Sequence, residues 1–592
     1  MLKREEWLPF ARELDWEFSY VSAGSAFPEL AAGTPALSYA EWAKWEEPFK
    51  TSFAEYVEQQ ASKEAALQAV RELLSQRKDR LDRLDVRWIS ALKLHFALLP
   101  LAEFAASIGN LRAARFGRTA AWRQASLLGA LDELRHAQIP LALGHDCVAR
   151  DGQFDWTHRF YHSNNWVAIA ARRLMDEMLL CSDPVEFSIA THFVFETAFT
   201  NLQFIGLSAV AHEVGDSLFE RLLTSIQTDE ARHAQIGHAV LDVVLKHDRE
   251  RVQALVDKWF WRSWLVFSVV TGFTMDYLTP LEHRKKSFKE FVQEWVTEQF
   301  DATLSNFGLE RPWYWAEFER SLEYFHHMVY ASAYSYRATV WFDMVVPSPA
   351  ERAWLREKYP QSFPEFEPIW EAISERWRGT DPGLDFAVHG TAIVSFCSLC
   401  GLVLSHGTPG HNDTEVIEHE GRQHAFCSGV CRVLFEKEPE RYARHHDVVT
   451  RVLCGEAPGN LLAFLGYSGL GFDDWGKDAE RGEYDWLARD ASALRTSSTP
   501  PPHARSASER LVPLYGFVEG DTIGLLVLAH EDMSMADVAQ RLRNAAALRV
   551  TRTDEYDLYR GEQRLSPEST VSELGLKVLA RVDLRFRAGV AA

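Results

Sequence analysis

The sequence predicts a mainly α-helical bundle, followed by a small cysteine-rich module and a C-terminal β-grasp domain. From residue 55 to about residue 340, helix formers dominate, proline is sparse, and apolar residues recur every three or four positions. Residues 393–445 are rich in Cys, Gly and His, and residues 509–592 show the pattern of short strands around one helix. A chain of 592 residues is expected to form two to four domains.

The composition is that of a globular protein without a general affinity for polyanions. Hydrophobic residues make up 47% of the chain, and 84 acidic residues against 63 basic ones give a net charge of −21. This balance argues against nucleic acid and anionic membranes as partners. The most apolar window, residues 264–275, is too short to cross a membrane, and the N-terminus lacks the apolar stretch of a signal peptide. Seven cysteines form no disulfide framework, which favours the cytoplasm.

The chain is predicted to divide into four segments. Proline density rises between residues 347 and 382, which places the end of the helical domain, residues 1–385, at this point. A cysteine-rich module with its extension then occupies residues 386–491. Residues 492–508 contain three consecutive prolines and no apolar pattern, and we predict that they link this module to the last domain, residues 509–592.

The last domain has the pattern of an α+β roll. Gly520 and Asp521 separate two apolar stretches, which is a hairpin signal, and Ser534 is predicted to cap the helix that follows. Together with later apolar runs this order is typical of the β-grasp type. The predicted strands occupy residues 511–519, 522–529, 548–551, 555–559 and 578–586.

An acidic–histidine heptapeptide occurs twice in the helical domain. DELRHAQ at residues 132–138 recurs as DEARHAQ at residues 229–235, with six identities in seven positions. In each copy a Glu and a His stand three residues apart, so on a helix both project from one face. One such pair can bind a metal ion, and two copies on facing helices can bind two. The four candidate ligands are Glu133, His136, Glu230 and His233.

Each copy is preceded by a single carboxylate in an apolar helical stretch. Glu103 lies 30 residues before Glu133, and Glu196 lies 34 residues before Glu230. An unpaired charge is costly to bury, and both spacings fit a helix, a turn and an antiparallel return. A lone E-x-x-H is usually a solvated pair, but the duplication with two upstream Glu residues favours a dinuclear carboxylate site. Four Glu and two His suit iron or manganese better than zinc or copper.

Four cysteines have the spacing of a second metal site. Two residues separate Cys397 from Cys400, and three separate Cys427 from Cys431. Two close pairs of thiolates form a closed tetrahedral site that favours zinc, and the alternative is a set of four free thiols.

Specific motifs identify a family resemblance. Residues 1 to about 490 resemble the large hydroxylase subunit of the bacterial multicomponent monooxygenases, with the toluene monooxygenase branch as the nearest. The resemblance implies a ferritin-like fold that holds two irons through Glu103, Glu133, His136, Glu196, Glu230 and His233. The motifs that carry it are DELRHAQ, FETAFTNLQF, SIQTDEARHAQ, QFDWTHRFYHSNNWVAIAA, MDYLTPLEHRKKSFKEF and RPWYW.

The resemblance also implies an activity and partners. Members of this family activate O₂ and insert one oxygen atom into a small aromatic or alkene hydrocarbon, with electrons from NADH. The implied partners are a beta hydroxylase subunit, an effector protein, a ferredoxin and an NADH reductase, in a hetero-oligomer built as a dimer of protomers. One alternative is a diiron oxidase or radical-generating protein, which Pro140 disfavours because radical-generating relatives carry a Tyr there. A non-catalytic scaffold leaves the repeated motif unexplained.

Further residues receive roles from the same resemblance. Asp132 and Asp229 are expected to hydrogen-bond the His of the opposite motif and raise its basicity. Arg135 and Arg232 are expected to offset the acidic cluster, and ordinary surface charge pairing is the alternative for all four residues. The two remaining polar residues, which the family places near a pore and the effector face, are Asn201 and Gln227.

Thr200 stands four residues after Glu196 and is expected to face the same site. The resemblance implies that its hydroxyl relays a proton, while the alternative is a hydrogen bond to the carbonyl of Glu196. The substrate pocket is expected to be apolar, and without the resemblance its residues would be assigned to the core. Met175 and Pro140 depart from the family pattern, which leaves the substrate open. The expected pocket residues are Leu99, Ala102, Ala106, Met175, Phe195 and Phe204.

The two C-terminal segments resemble small modules. The residues around the four cysteines, including Gly421, Phe426 and Phe435, resemble the YHS-type zinc domain. Residues 509–592 resemble the small ubiquitin-like gamma subunit of the same hydroxylases, fused here through residues 492–508. Attachment in one chain gives such a domain a high effective concentration at the large hydroxylase subunit.

Overall fold

The computed structural model divides the chain into two compact units. Unit 1 comprises residues 1–161 and 171–319, and unit 2 comprises residues 162–170 and 320–592. The linker predicted at residues 492–508 and the boundary predicted at residue 385 lie outside the described residues. The described residues are 37–46, 51–75, 81–156, 166–179, 181, 183–336, 342–376, 392–404, 413–444, 512–527, 529–547 and 549–587.

Unit 1 is helical, as predicted. Its α-helices are α1 (Tyr39–Trp42), α2 (Phe53–Ser75), α3 (Val86–Phe116), α4 (Ala120–Val148), α5 (Trp166–Leu179, which begins in unit 2), α6 (Pro184–Ser188), α7 (Asn201–Glu213), α8 (Ser217–Val244), α9 (Arg249–Phe273), α10 (Phe288–Phe291), α11 (Glu298–Asn306) and α12 (Trp315–Ser321, which ends in unit 2). Three π-helices continue α6, α9 and α10, at Ile189–Thr200, Thr274–Leu278 and Val292–Thr297.

Short polar side chains define where the long helices begin. Asp85 accepts a hydrogen bond from the amide of Arg87 at the start of α3, and Thr119 accepts one from Trp122 at the start of α4. Asp216 and Asp248 cap α8 and α9 in the same way. Each cap satisfies an amide that has no partner within its helix, so the sequence sets the ends of the helices at the centre of the unit.

The centre of unit 1 is built from α3, α4, α8 and the π-helix Ile189–Thr200. The Ser107 hydroxyl donates to the carbonyl of Ala130 at 2.8 Å and fixes the antiparallel register of α3 and α4. By length and composition, residues 86–116 and 184–213 could each cross a membrane, but the most apolar stretch of each is at least half buried inside the protein. Both are therefore explained as core helices of the bundle.

Aromatic side chains fill the space behind the π-helix. The ring of Phe199 lies 5.0 Å from those of Phe260 and Phe267, and the ring of Trp264 lies 4.9 Å from that of Phe318. Such pairs add to the apolar burial that holds the helices together. Aromatic side chains therefore form a packed part of the interior next to the π-helix.

Helix α8 crosses the π-helix in backbone contact at Gly237. A Cβ atom on Gly237 would lie 2.5 Å from the backbone nitrogen of Phe193 and 2.9 Å from the backbone carbon of His192. Gly237 stands one turn after His233 on the same helix face. The absence of a side chain therefore sets the distance between the helix that carries Glu230 and the one that carries Glu196.

Replacing Gly237 by Ala is expected to destabilise unit 1. Alanine improves helix propensity by about 1 kcal/mol, but overpacking costs about 1–3 kcal/mol, and here the obstructing atoms are backbone. We expect a lower melting temperature in calorimetry and weaker iron retention. Gly152→Ala is the matched control, because nothing lies within 4 Å of a Cβ there. Equal melting temperatures of the two variants would contradict this account of the crossing.

Unit 2 combines helices with two sheets. Its helices are α13 (Phe325–Tyr336), α14 (Pro349–Lys358), α15 (Phe363–Arg376), α16 (Gly429–Lys437), α17 (Pro439–Arg444) and α18 (Met535–Ala546). Strands β2 and β3 form a separate hairpin, and the other strands form one sheet in the order β1-β5-β4-β8-β6-β7. The strands are β1 (Ala392–Val394), β2 (Glu415–His419), β3 (Arg422–Phe426), β4 (Leu514–Val518), β5 (Leu525–Val527), β6 (Tyr556–Arg560), β7 (Gln563–Arg564) and β8 (Arg581–Phe586).

The C-terminal part of this sheet has the order that a β-grasp requires. β4 and β5 form the predicted antiparallel hairpin, α18 starts at the predicted cap Ser534, and β8 returns parallel to β4. The strand predicted at residues 548–551 is wrong for the part that the structure describes. The amides of Arg549 and Val550 instead both donate to the carbonyl of Ala546, because they continue the last turn of α18.

Strand β1 comes from the segment that the sequence assigns to the cysteine-rich module. It pairs antiparallel with β5 of the C-terminal domain. The sheet therefore includes residues from both sides of the predicted linker, which no local pattern in residues 392–394 indicates.

Candidate dinuclear metal centre

Four helices direct six candidate ligands to one point inside unit 1. α3 carries Glu103, α4 carries Glu133 and His136, the π-helix carries Glu196, and α8 carries Glu230 and His233. All six side chains are buried. The structure thus brings together every ligand that the repeated motif and the two upstream glutamates predict.

The six side chains form two overlapping groups of four. In one group, Nδ1 of His136 lies 3.7 Å from Glu103 Oε2 and 3.2 Å from Glu230 Oε1. In the other, Nδ1 of His233 lies 3.1 Å from Glu133 Oε1 and 3.9 Å from Glu196 Oε1. Within each group the candidate ligand atoms lie within 4.8 Å of one another. The groups share Glu133 and Glu230, which are therefore placed to bridge two ions.

The donor set fits a pair of cations. Among the described residues, Glu196 Oε2 is buried without a hydrogen-bond partner, and Glu230 Oε1 and Nδ1 of His233 face other candidate ligands. Burial raises the pKa of Glu103 to about 8 and the pKa of Glu196 well above its usual range. Buried carboxylates under this penalty are stabilised by a bound cation. The oxygen-rich set with two imidazoles suits a pair of iron or manganese ions.

The outer nitrogen of each histidine faces the aspartate of the other motif. His136 Nε2 lies 3.3 Å from Asp229 Oδ2, and His233 Nε2 lies 3.0 Å from Asp132 Oδ2. A proton held at Nε2 by these carboxylates leaves Nδ1 free to bind a metal, because a neutral imidazole has one lone pair. These are the contacts that the family resemblance implies.

The two arginines neutralise the aspartates and do not contact the candidate ligands. Arg135 donates to Asp229 Oδ2 at 3.3 Å and to Glu64 Oε1 at 2.6 Å. Arg232 donates to Asp132 and also to Asp229 Oδ1, the latter at 3.2 Å. Because Asp132 and Asp229 are fully buried, and because Arg135–Asp229 and Arg232–Asp132 connect separate helices, ordinary surface pairing does not describe these contacts.

Helix α2 contributes three polar side chains that contact the two aspartates and that sequence reasoning missed. The Tyr56 hydroxyl and Gln60 Nε2 each donate to Asp132 Oδ1 at 2.9 Å. Gln60 Nε2 also lies 2.9 Å from Asp229 Oδ1, and Lys63 Nζ lies 2.6 Å from that oxygen. The signal in the sequence is the spacing of four and three residues, which puts these side chains on one helix face. Nothing local indicates which partner that face meets.

The Thr200 hydroxyl lines a cavity next to the metal site. It is buried and has no hydrogen-bond partner among the described residues, so it does not bond the Glu196 carbonyl. By contrast, the Thr197 hydroxyl donates to the carbonyl of His192 at 3.0 Å. Asn201 and Gln227 contact each other at 2.8 Å and do not line this cavity.

The cavity is mostly apolar and opens onto the candidate ligands. All six predicted pocket residues line it, and so do Glu103, Glu133, Glu196 and Glu230. Pro140 is not among the lining residues, whereas Met175 is. About 880 Å³ of space between protein atoms belongs to this cavity when the open solvent at its mouth is counted. The wall that sequence reasoning missed comes from α9 and comprises Val266, Phe267 and Val270.

The four cysteines of the second predicted site also meet. Their sulfur atoms lie within 4.8 Å of one another, all four side chains are buried, and none forms a disulfide. Cys400 Sγ lies 3.9 Å from Cys427 Sγ, and Cys427 Sγ lies 3.5 Å from Cys431 Sγ. Four thiols in this arrangement fit a tetrahedral zinc ion.

Comparison with known proteins finds hydroxylases and oxygenase components of monooxygenases, by family model, by sequence and by structure. A family model described as methane, phenol and alkene hydroxylase matches residues 16–248. The chain is 38% identical to the alpha subunit of the oxygenase component of an alkene monooxygenase system from Xanthobacter autotrophicus, over 81% of this chain and 96% of that relative. It is 29% identical to the oxygenase component of phenol 2-monooxygenase from a Pseudomonas species, over 77% and 88%. The crystal structure of xenon-pressurized phenol hydroxylase from Pseudomonas sp. OX1 matches with a TM-score of 0.69 and 27% identity, over 79% and 95%.

Proposed function

The chain belongs to the methane, phenol and alkene hydroxylase family, and from this membership we propose that it is the oxygenase component of a multicomponent diiron monooxygenase acting on a small hydrocarbon. The observation that carries the proposal is the apolar cavity that opens onto two groups of ligands sharing Glu133 and Glu230. The alternative, a diiron oxidase or radical-generating protein, has less support. Diiron oxidases and radical-generating proteins need no cavity for a hydrocarbon beside the metal site.

The residues of the site divide the work. Four glutamates and two histidines would hold two irons, and Asp132 and Asp229 would fix the histidines in the metal-binding tautomer. When bound, the two irons supply reductive activation of O₂, with one oxygen atom going to the hydrocarbon and the other leaving as water. The apolar wall excludes bulk water and holds the substrate by contact. The Cys397, Cys400, Cys427 and Cys431 thiolates would hold one structural zinc.

The substrate class is a small alkene or a single-ring aromatic. The two relatives described above act, by their names, on alkenes and on phenol, so a place in the toluene branch remains a prediction. The test is turnover of propene, isoprene, toluene and phenol by the protein reconstituted with its electron-transfer partners. We expect an epoxide or a phenolic product carrying one atom of ¹⁸O from ¹⁸O₂. Reductant consumption without label in any product would overturn the proposal.

Thr200 is proposed to deliver a proton during oxygen activation. Thr200→Val keeps the shape of the side chain but removes the hydroxyl, and we expect turnover to fall by about 10²-fold, while Thr200→Ser retains most of it. The readout is product formation together with the solvent isotope effect. Thr197→Val is the control, because that hydroxyl bonds a backbone carbonyl outside the cavity. Equal turnover of Thr200→Val and the parent would exclude a role for the hydroxyl.

The partners proposed for the chain follow from the multicomponent nature of its relatives. We propose a beta hydroxylase subunit, an effector protein, a ferredoxin and an NADH reductase, acting in the cytoplasm, with a hetero-oligomer built as a dimer of protomers. Residues 509–592 take the place of a ubiquitin-like gamma subunit in this proposal, and the cysteine-rich segment that of a YHS-type module. The relatives named alpha subunit and oxygenase component support the need for further chains.

One apolar surface is suited to the second subunit. We call it the α3–α4 patch, and its members are the exposed side chains Phe104, Ile108, Leu111, Leu127, Leu131 and Leu134. From the antiparallel register at Ser107 and Ala130, we expect Phe104 to lie near Leu134 and Leu111 near Leu127. A contiguous patch of this kind on a strongly charged protein marks an interaction site. The occupant we propose is the beta subunit.

Charged substitutions in the α3–α4 patch are expected to prevent this assembly. Leu127→Glu combined with Leu131→Glu removes two apolar contacts, and each is worth about tenfold or more in affinity. The measurement is co-purification and titration with the beta subunit, with iron content as a check on folding. Leu73→Glu, an isolated exposed leucine on α2, is the control. A patch variant that binds the subunit as tightly as the parent would remove this surface from the account.

A further inference from the structure

The C-terminal domain is joined to the cysteine-rich module by an edge strand. β1 pairs with β5 in the register Ala392 to Val527, Ile393 to Leu526 and Val394 to Leu525. β5 already pairs with β4 on its other side, so β1 extends the sheet of the domain by one strand. Addition of a strand to a free sheet edge is a general mode of attaching one segment to another.

The contacts continue onto the loop that carries the first two cysteines. The amide and the hydroxyl of Ser395 both donate to the carbonyl of Gly524, at 3.0 Å and 2.9 Å. The amide of Gly524 donates to the carbonyl of Leu404 at 2.7 Å. Ser395 and Leu404 stand at the two ends of the cysteine loop and contact each other. Gly524 is therefore held by both ends of the loop at once.

The loop between these ends places Cys397 and Cys400 close to Cys427 and Cys431. Phe396 and Val403 form a single bridge, and the amide of Cys397 donates to the carbonyl of Leu402 at 2.9 Å. The amide of Ser398 reaches the carbonyl of Ala425 at 2.8 Å, beside Cys427. A hairpin this short is marginal by itself in water. The four sulfur atoms meet where this tip approaches the start of α16, so a metal ion bound there would join the two segments.

The backbone at Gly524 lies too close to neighbouring side chains to carry a side chain of its own. A Cβ atom there would lie 2.9 Å from Leu404 Cδ2 and 2.9 Å from Phe517 Cε1. Leu404 is fully buried, and so are Ala392 and Val394 of β1. A side chain at position 524 would therefore have to displace Leu404, which stands at one end of the cysteine loop.

We propose that the four-cysteine metal site is the latch that holds the C-terminal domain, residues 512–587, onto residues 392–404. The inference rests on the zinc binding proposed above. A metal ion that fixes the loop stabilises the two backbone contacts to Gly524, and by linkage a docked domain raises the affinity for the metal. The site then serves assembly of the fused domain and takes no part in oxygen chemistry.

The test uses the full chain with a specific protease site inserted within residues 492–508. After cleavage of zinc-loaded protein, we expect the C-terminal piece to co-elute with the remainder in gel filtration. After zinc removal, or in Cys400→Ser, we expect it to separate, and hydrogen exchange in residues 523–527 to rise while α3 and α8 stay protected. Cys147→Ser, which alters a buried thiol outside the cluster, is the control and is expected to stay latched.

A second variant tests the junction without touching the metal ligands. Gly524→Val is expected to release the cleaved domain while the chain still binds zinc. Co-elution of the cleaved piece from protein shown to have lost its zinc would overturn the latch, as would a chain that never binds zinc. In either of these two outcomes, the iron content and the turnover of the protein are expected to stay unchanged. Failure of the latch and failure of the hydroxylase proposal are therefore distinguishable.

Discussion

Alanine in place of Glu133 or Glu230 is expected to empty both iron positions, whereas alanine in place of Glu103 or Glu196 leaves one partly filled. Glu133 and Glu230 belong to both ligand groups, and each of the other two glutamates belongs to one. Removal of a shared carboxylate also leaves the two ions without the negative charge between them. Turnover is expected to fall to background in all four variants.

The measurement is iron per chain after purification from iron-replete medium. We expect about two ions in the parent, none in the Glu133→Ala and Glu230→Ala variants, and about one in the other two. Glu64→Ala is the matched control, because this carboxylate contacts Arg135 and lies outside both ligand groups. Equal loss of iron from all four glutamate variants would contradict the shared arrangement.

Asn in place of Asp132 or Asp229 is expected to weaken iron binding without removing a ligand. The side chain keeps its shape, but the histidine of the other motif loses its anionic partner and becomes a poorer donor. Partners of metal-bound histidines contribute about 10- to 100-fold to metal affinity or activity. Both substitutions also remove a charge partner in the interior, that of Arg232 for Asp132→Asn and that of Lys63 and Arg135 for Asp229→Asn, which adds a cost in stability.

The measurement is competition for iron against a chelator, together with turnover at saturating iron. Asp248→Asn is the control, because Asn caps a helix about as well as Asp and this residue only caps α9. Unchanged iron affinity in both aspartate variants would show that the histidines are held by something else.

The candidate iron ligands could be predicted because their spacing is visible within short stretches of the sequence. In any helix, the Glu and His of an E-x-x-H pair project from the same face. Glu103 and Glu196 can be recognised because each is a single carboxylate in an apolar stretch. The contacts of Tyr56, Gln60 and Lys63, and the cavity wall on α9, depend on how distant helices pack. Periodicity identifies a buried face but does not identify the neighbour of that face.

Two features of the fold could not be predicted for a related reason. The π-helix Ile189–Thr200 differs from an α-helix by one residue per hydrogen-bonded turn, and its apolar residues show no pattern that separates the two. Strand β1 has only three residues, and its place in the C-terminal sheet depends on β5, more than a hundred residues later. Both the form of this helix and the position of β1 therefore depend on contacts with distant parts of the chain.

The Mössbauer spectrum of the purified protein loaded with ⁵⁷Fe tests the central claim most directly. If Glu133 and Glu230 hold two ferric ions between them, we expect antiferromagnetic coupling and quadrupole doublets from a diamagnetic ground state, with about two irons per chain. A magnetically split spectrum of isolated high-spin ferric ions, or a preparation that holds zinc and no iron, would contradict it.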